Sequence, residues 1–152
     1  MVYARLYYHL VWSTKNREPV ITQEMESELF PYLMNKSKNL ECRIIIVNAY
    51  LDHIHLIIEI PSKFSIAHIV KELKGSSSFD FQELYWQRGY GVLTISERNL
   101  NAAIEYVKKQ KEHHRQNKTF DRYELYNKED LSGSKKINEP KANYETIDDQ
   151  PF

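Results

Sequence analysis

The sequence predicts an α+β fold of the ferredoxin-like type, a split βαββαβ arrangement with an antiparallel sheet, followed by one more helix. Three observations lead to this prediction. Four short segments are rich in β-branched and aromatic residues, and three longer segments repeat apolar residues at the helical period. Their order along the chain is β-α-β-β-α-β-α, which places the helices of the βαββαβ part on one face of the sheet.

The predicted strands cover residues 2–12, 42–50, 52–60 and 89–96. The first is apolar on both faces, which is typical of a central strand, and on the ferredoxin-like plan it lies beside the third. The second and third follow each other almost without a break and predict a hairpin. Asn48 is the most obvious turn residue between them.

Each predicted helix begins at a residue that commonly caps helices. Thr22 opens a helix to about residue 39, and Ser65 opens one that ends near 75–78 or continues to 84. Ser96 opens the last, which runs to about residue 114. Its predicted core face consists of Leu100, Ala103, Ile104 and Val107.

Length and composition favour one domain, predicted over residues 1–126, with a polar and flexible C-terminal tail over 127–152. The sequence has no apolar run of about 18 residues, and the strand pattern starts too early to leave room for a signal peptide. The single cysteine, Cys42, excludes an internal disulfide framework, and we expect it to be a buried apolar residue in a cytoplasmic protein.

The net charge is zero, from 21 basic and 21 acidic residues. An even distribution would argue against a nucleic acid partner, but the distribution is uneven. Residues 108–118 are basic, whereas the tail after residue 131 carries several acids. Local patches of charge therefore decide the affinity for phosphate.

The third strand carries a His-x-His pattern that predicts half of a metal site. Residues two apart in a strand point to the same face, so His53 and His55 project side by side. Ile54 and Leu56 point the other way, into a core. Two imidazoles held on a rigid strand are suited to binding a metal ion. The alternative is a pair of ordinary polar residues.

The last helix offers the other half of the site. Tyr106 and Gln110 are four residues apart and lie on the flank of its apolar stripe. Two imidazoles and an amide oxygen leave coordination positions open and suit Mg²⁺ or Mn²⁺ better than structural zinc. Tyr106 is the candidate nucleophile, since a phenol ionises more readily than an aliphatic hydroxyl and leaves readily again. The alternative for Tyr106 is a core tyrosine.

Several other residues have more than one interpretation. Asp52 is expected to cap the turn, on the face opposite the histidines, and Glu59 to be a solvated strand end. His9 could approach the histidines from the first strand. Surface positions are the simplest interpretation of His113 and His114. Four basic residues of the last helix form either a solvated helix face or a patch that contacts DNA phosphates. They are Lys108, Lys109, Lys111 and Arg115.

Five segments in the same order resemble the IS200/IS605-like single-tyrosine transposases of the His-hydrophobic-His (HUH) nuclease superfamily. They cover residues 8–15, 52–56, 73–78, 86–91 and 106–114. Repeat-associated tyrosine transposases share these motifs. One departure is Leu51, where the family often has proline.

The resemblance implies a homodimeric enzyme that cuts and rejoins single-stranded DNA at element ends folded as hairpins, without a nucleotide cofactor. It implies that His53, His55 and Gln110 bind the metal ion and that Tyr106 forms a 5′-phosphotyrosine link on a catalytic helix. Two alternatives stay open at this point. One is a domesticated binder of DNA hairpins that does not cut, and the other is a small ferredoxin-like metal-binding protein unrelated to DNA.

Overall fold

The computed structural model describes residues 1–115 of the chain. Two 3₁₀ turns, at Lys15–Arg17 and Glu97–Asn99, accompany the regular elements. In chain order these elements are β1 (Tyr7–Ser13), α1 (Gln23–Asn39), β2 (Arg43–Tyr50), β3 (His53–Glu59), α2 (Ile66–Asp80), β4 (Gly91–Ile95), α3 (Leu100–Lys108) and α4 (Gln110–Arg115).

The four strands form one antiparallel sheet in the order β2-β3-β1-β4. The predicted α+β fold with its split βαββαβ order is therefore confirmed, and β1 and β3 are the central strands. The register between these two strands places Val11 opposite His55 and Ser13 opposite His53. Both histidines consequently lie at one end of the sheet, where β1 finishes.

The two faces of the sheet bury different helices. Leu10, Trp12 and Leu56 belong to the larger core, which α1 and α2 cover. The opposite face holds Tyr7 and Ile57 and is covered by α3. Since β3 alternates between these two cores, it is buried on both faces, and its histidines face α3 rather than the main core.

Both predicted caps of the long helices are confirmed, because the Thr22 side chain accepts a hydrogen bond from the Met25 amide and Ser65 does so from the His68 amide. Two predictions about α2 and β1 need correction. Helix α2 continues through its serines to Asp80, since Ser77 Oγ donates to the Leu73 carbonyl within the helix. Strand β1 starts only at Tyr7, where pairing with β3 and β4 begins.

Two further predictions were wrong. Asn48 is not a turn residue but lies within β2, and the turn falls at residues 51–52 instead. The predicted last helix is interrupted, since a 3₁₀ turn precedes α3 and Lys109 separates α3 from α4. The boundary predicted at residue 126 and the tail lie outside the described residues. None of the helices within residues 1–115 combines the length and apolar content that crossing a bilayer requires.

Candidate active site

The histidines of β3 form the fixed part of the candidate site. His53 and His55 are fully buried, and their ring centroids lie 5.2 Å apart. Both point to the face covered by α3, as strand alternation predicts. Because β3 is bonded to a neighbouring strand on each side, the backbone that carries the two rings is held rigidly.

His9 approaches His55 from β1. Its Nε2 atom lies 2.9 Å from Nδ1 of His55, and the two rings are stacked with centroids 5.0 Å apart. Of the two nitrogens in this contact, one donates and the other accepts. When Nδ1 of His55 is the donor, its Nε2 atom carries the lone pair that a metal ion requires. His9, which the sequence left open, therefore orients His55.

Asp52 plays the corresponding part for His53, which corrects the prediction that it only caps the turn. Its Oδ1 atom accepts from Nδ1 of His53 at 2.7 Å, and Oδ2 accepts from Nε of Arg17 at 3.1 Å. Strand alternation predicted the opposite face, but Asp52 precedes β3 and is free of that alternation. The carboxylate favours the proton on Nδ1, and this leaves Nε2 of His53 as an acceptor.

Tyr106 and Gln110 reach the histidines from α3 and α4. The amide Nε2 of Gln110 donates to Nε2 of His53 at 3.1 Å, and Gln110 is fully buried. The Tyr106 ring is buried, with its centroid 6.2 Å from that of His55 and 6.3 Å from that of His9. The structure thus brings together all four residues that the sequence singled out.

Asn48 of β2 holds the junction between α3 and α4, and the sequence analysis missed this role. Its Nδ2 atom donates to the carbonyls of Val107 at 2.9 Å and Lys108 at 3.1 Å, the last two residues of α3. Its Oδ1 atom accepts from Nζ of Lys111 at 2.8 Å. The available signal was a lone amide within an apolar strand sequence. Asn48 thereby fixes the segment between Tyr106 and Gln110.

The predicted basic patch is only partly formed. Lys108 and Lys109 are exposed, as a phosphate contact requires, although Lys108 also lies 3.5 Å from Glu105. Lys111 is engaged with Glu26 at 2.8 Å. The side chain of Arg115 and those of His113 and His114 lie outside the described part of the chain.

Glu59 is not simply a solvated strand end, because it pairs with Arg43 at 2.6 Å. Its position at the far end of β3 from His53 keeps it out of the candidate site. Cys42 is buried as predicted, and burial raises the pKa of its thiol to about 11.

The donors that converge here fit a divalent metal ion with open coordination positions. Among residues 1–115, no group of three or more His, Cys, Asp or Glu side chains is placed to hold a metal ion. Among the residues that the structure describes, His53, His55 and Gln110 bring two buried imidazoles together with a buried amide. Such a mixed set without thiolates suits Mg²⁺ or Mn²⁺ better than a closed structural zinc site.

The chain is similar to known proteins over most of its described residues. Residues 2–110 match the family model described as "Transposase IS200 like". The chain is 30% identical over 117 residues to the transposase for insertion sequence element IS200 of Salmonella typhimurium, an alignment that covers 69% of this chain and 76% of the relative.

Two solved structures share the fold. A crystal structure of a Deinococcus radiodurans R1 protein described as a transposase superposes with a TM-score of 0.58 at 26% identity, over 72% of this chain and 93% of that one. A REP-associated tyrosine transposase bound to a REP hairpin gives a TM-score of 0.56 at 14% identity, over 75% and 72% of the two chains. The match of the family model to most of the chain shows that this protein belongs to the IS200-like transposases.

Proposed function

We propose that this transposase cleaves single-stranded DNA in a metal-dependent reaction, rejoins it through a 5′-phosphotyrosine intermediate, and thereby moves an insertion-sequence-type element. The observation that carries the proposal is the convergence of Tyr106 and Gln110 on the paired histidines of β3. A tyrosine that only fills the core does not need imidazole and amide side chains beside it. Here the one buried tyrosine of α3 faces two imidazoles rather than apolar side chains alone.

Tyr106 would act as the nucleophile. Its phenolic oxygen forms a bond to phosphorus as the bond between phosphorus and the 3′-oxygen of the preceding nucleotide breaks. The phenolic proton is released and the departing 3′-oxygen takes up a proton. The products are a 5′-phosphotyrosine and a free 3′-hydroxyl. In the reverse direction a 3′-hydroxyl attacks the same phosphorus and releases the tyrosine, which joins two strands without an external energy source.

The buried polar residues around Tyr106 would orient the reacting phosphate. His53, His55 and Gln110 would hold a Mg²⁺ or Mn²⁺ ion, which when bound neutralises the charge that accumulates on the phosphate oxygens. His9 and Asp52 would keep each imidazole in the tautomer that offers Nε2 to the site, because each bonds to the Nδ1 atom. The cluster is buried, which would keep bulk water away from the phosphotyrosine.

The proposed substrate is single-stranded DNA with hairpins at the element ends, and the proposed assembly is a homodimer. Membership of the IS200-like family supports both. The exposed Lys108 and Lys109 follow Tyr106 on the same helix and are the proposed contacts to the DNA backbone, together with Arg115.

A gel assay for a covalent protein–DNA adduct tests this proposal. Single-stranded oligonucleotides from both strands flanking the gene are incubated with Mg²⁺ or Mn²⁺. We expect an adduct with the wild type, none with Tyr106→Phe, and none with the wild type in EDTA. Tyr3→Phe is the matched control, since Tyr3 is 83% exposed and outside the site.

Three results would contradict parts of the proposal. If the adduct persists in Tyr106→Phe while His53→Ala abolishes cleavage, the assignment of Tyr106 as the nucleophile is refuted. An adduct that still forms in EDTA would refute the requirement for a metal ion. Tight binding of a flanking hairpin with no adduct would instead indicate a domesticated protein that binds without cutting.

A further inference from the structure

A groove of about 770 Å³ runs between α2 and the segment that leads into β4. We call it the α2 groove. One wall is the α2 helix from Ala67 to Ser78, and the other is the segment from Tyr85 to Tyr90. No residue of the candidate active site lines it. The α2 groove is therefore a surface distinct from the candidate active site.

The charge of the α2 groove is one-sided. Its lining includes the basic residues Lys15, Lys71, Lys74 and Arg88 and no acidic residue. In a chain with equal numbers of acidic and basic residues, such a lining is a local excess of positive charge. It suits a polyanion that lies along the groove.

The α2 groove also presents an aromatic surface. Tyr85 is 64% exposed, so its ring is accessible to a ligand in the groove. Trp86 beside it is held firmly, because its Nε1 atom donates to Ser77 Oγ at 2.8 Å and its ring packs edge-on against Trp12. An exposed ring next to cationic side chains is the arrangement by which proteins bind unpaired nucleobases.

Gly75 forms an open part of the helical wall. Glycine is unfavourable within a helix, yet a Cβ atom added at Gly75 would meet no other atom within 4 Å. The packing of the protein therefore does not require a glycine here. Its absence of a side chain keeps the groove wide.

Backbone hydrogen bonds connect the α2 groove to the end of β1. The Gln87 amide donates to the Ser13 carbonyl at 2.9 Å, and the Lys15 amide donates to the Tyr85 carbonyl at 2.8 Å. Ser13 is the residue that pairs with His53 across the sheet. The groove lies on the sheet face that α1 and α2 cover and reaches the end of β1, where a strand would pass from the histidine face to the groove.

We propose that the α2 groove binds the unpaired bases of a single-stranded polynucleotide next to the phosphate that is cleaved. This inference rests on the proposed function and adds the path of the substrate. Lys15, Lys71 and Arg88 neutralise the backbone, and Tyr85 stacks on a base. Lys74 has a different part, because its Nζ atom donates to the carbonyls of Gln87 and Gly89 at 2.7 Å each and shapes the wall. A duplex cannot offer an unstacked base to Tyr85.

Binding of a fluorescein-labelled single strand from the flanking DNA, followed by anisotropy at several salt concentrations, tests the inference. Tyr85→Ala should raise the Kd about tenfold through loss of base stacking. Lys71→Ala should reduce the slope of log K against log salt by about one. Tyr3→Ala and Lys38→Ala, which change exposed residues outside the groove, should behave as the wild type.

A second pair of variants fills the groove without removing a contact. Gly75→Leu should weaken single-strand binding at least as much as Tyr85→Ala, whereas Gly75→Ala should bind as the wild type. Both substitutions favour the helix and meet no neighbouring atom at Cβ, so thermal unfolding should show a folded protein.

The outcomes separate this inference from the proposed function. If Gly75→Leu and Tyr85→Ala bind the single strand with wild-type affinity and form the adduct normally, the inference about the α2 groove is overturned. The proposed function is then left intact. An equal loss of affinity for the matching duplex would also overturn it, since a duplex has no unpaired bases. A wild type that neither binds the single strand nor forms an adduct would overturn both.

Discussion

Replacement of Asn48 by alanine should loosen α3 and α4 from the sheet without unfolding the sheet itself. The amide of Asn48 donates two hydrogen bonds to the carbonyls that end α3, at 2.9 and 3.1 Å. A hydrogen bond of this kind contributes about 1 kcal/mol net to stability. Because these two hydrogen bonds are partly exposed to water, we expect them to contribute roughly 1–2 kcal/mol together. The open population of α3 and α4 should therefore rise about 5- to 30-fold.

Hydrogen exchange measured by mass spectrometry distinguishes this local effect from a global one. We expect amides of α3 and α4 to exchange about 5- to 30-fold faster in Asn48→Ala. Amides of β1 and β3, the central strands, should keep their wild-type rates. Asn35→Ala is the control, because Asn35 is an exposed amide residue on α1, away from α3.

Two results would refute the reasoning. Unchanged exchange in α3 and α4 would mean that Asn48 does not hold the junction. Equal acceleration in β1 and β3 would mean that α3 and α4 cannot open independently of the sheet. In either case Asn48 would have no specific part in positioning Tyr106 and Gln110.

Three further predictions concern the site, the core and the cysteine. Asp52→Asn should weaken Mn²⁺ binding about 10- to 100-fold, because His53 loses the charge that holds its proton on Nδ1, and unchanged affinity by titration calorimetry would contradict this. Leu56→Ala, at a fully buried position, should lower the free energy of unfolding by about 2–5 kcal/mol in urea titrations. Leu51→Ala, at a residue that is 44% exposed, should have a much smaller effect. Burial raises the pKa of the Cys42 thiol from 9 to about 11, so folding favours the neutral thiol and its stabilising effect is lost as the pH rises through that interval. The difference in unfolding free energy between wild type and Cys42→Ala should therefore shift against the wild type between pH 9 and 11, and a constant difference would exclude this titration.

Local rules were sufficient to predict most of the fold. The cap residues Thr22 and Ser65 start their helices as predicted, since a cap depends only on a few adjacent residues. Alternation along β3 correctly placed both histidines on one face. The same alternation places the apolar Ile57 on the histidine face of β3, and α3 packs against Ile57. The pattern therefore also indicates which face of the sheet the last helix covers.

The errors at Asn48, Asp52 and Lys109 lie where a side chain bonds outside its own element or where a pattern was extended past the end of an element. Asn48 resembled a turn residue, but its amide is used 59 residues away at the end of α3. Asp52 was assigned to the wrong face because alternation was extended one residue beyond the strand. The interruption at Lys109 could not be read from helical periodicity, and the Lys108 carbonyl beside it accepts a hydrogen bond from Asn48 of β2, outside the helix.

The one-sided lining of the α2 groove affects how the protein meets DNA before any contact forms. Since the whole chain is neutral, a groove with four basic residues leaves four more acids than bases elsewhere in the sequence. The groove is therefore a local region of positive charge on a chain that has no net charge. In the field of a polyanion, the attraction of this region turns the groove toward the strand as the two approach. Added salt should then slow productive encounters chiefly by weakening this alignment.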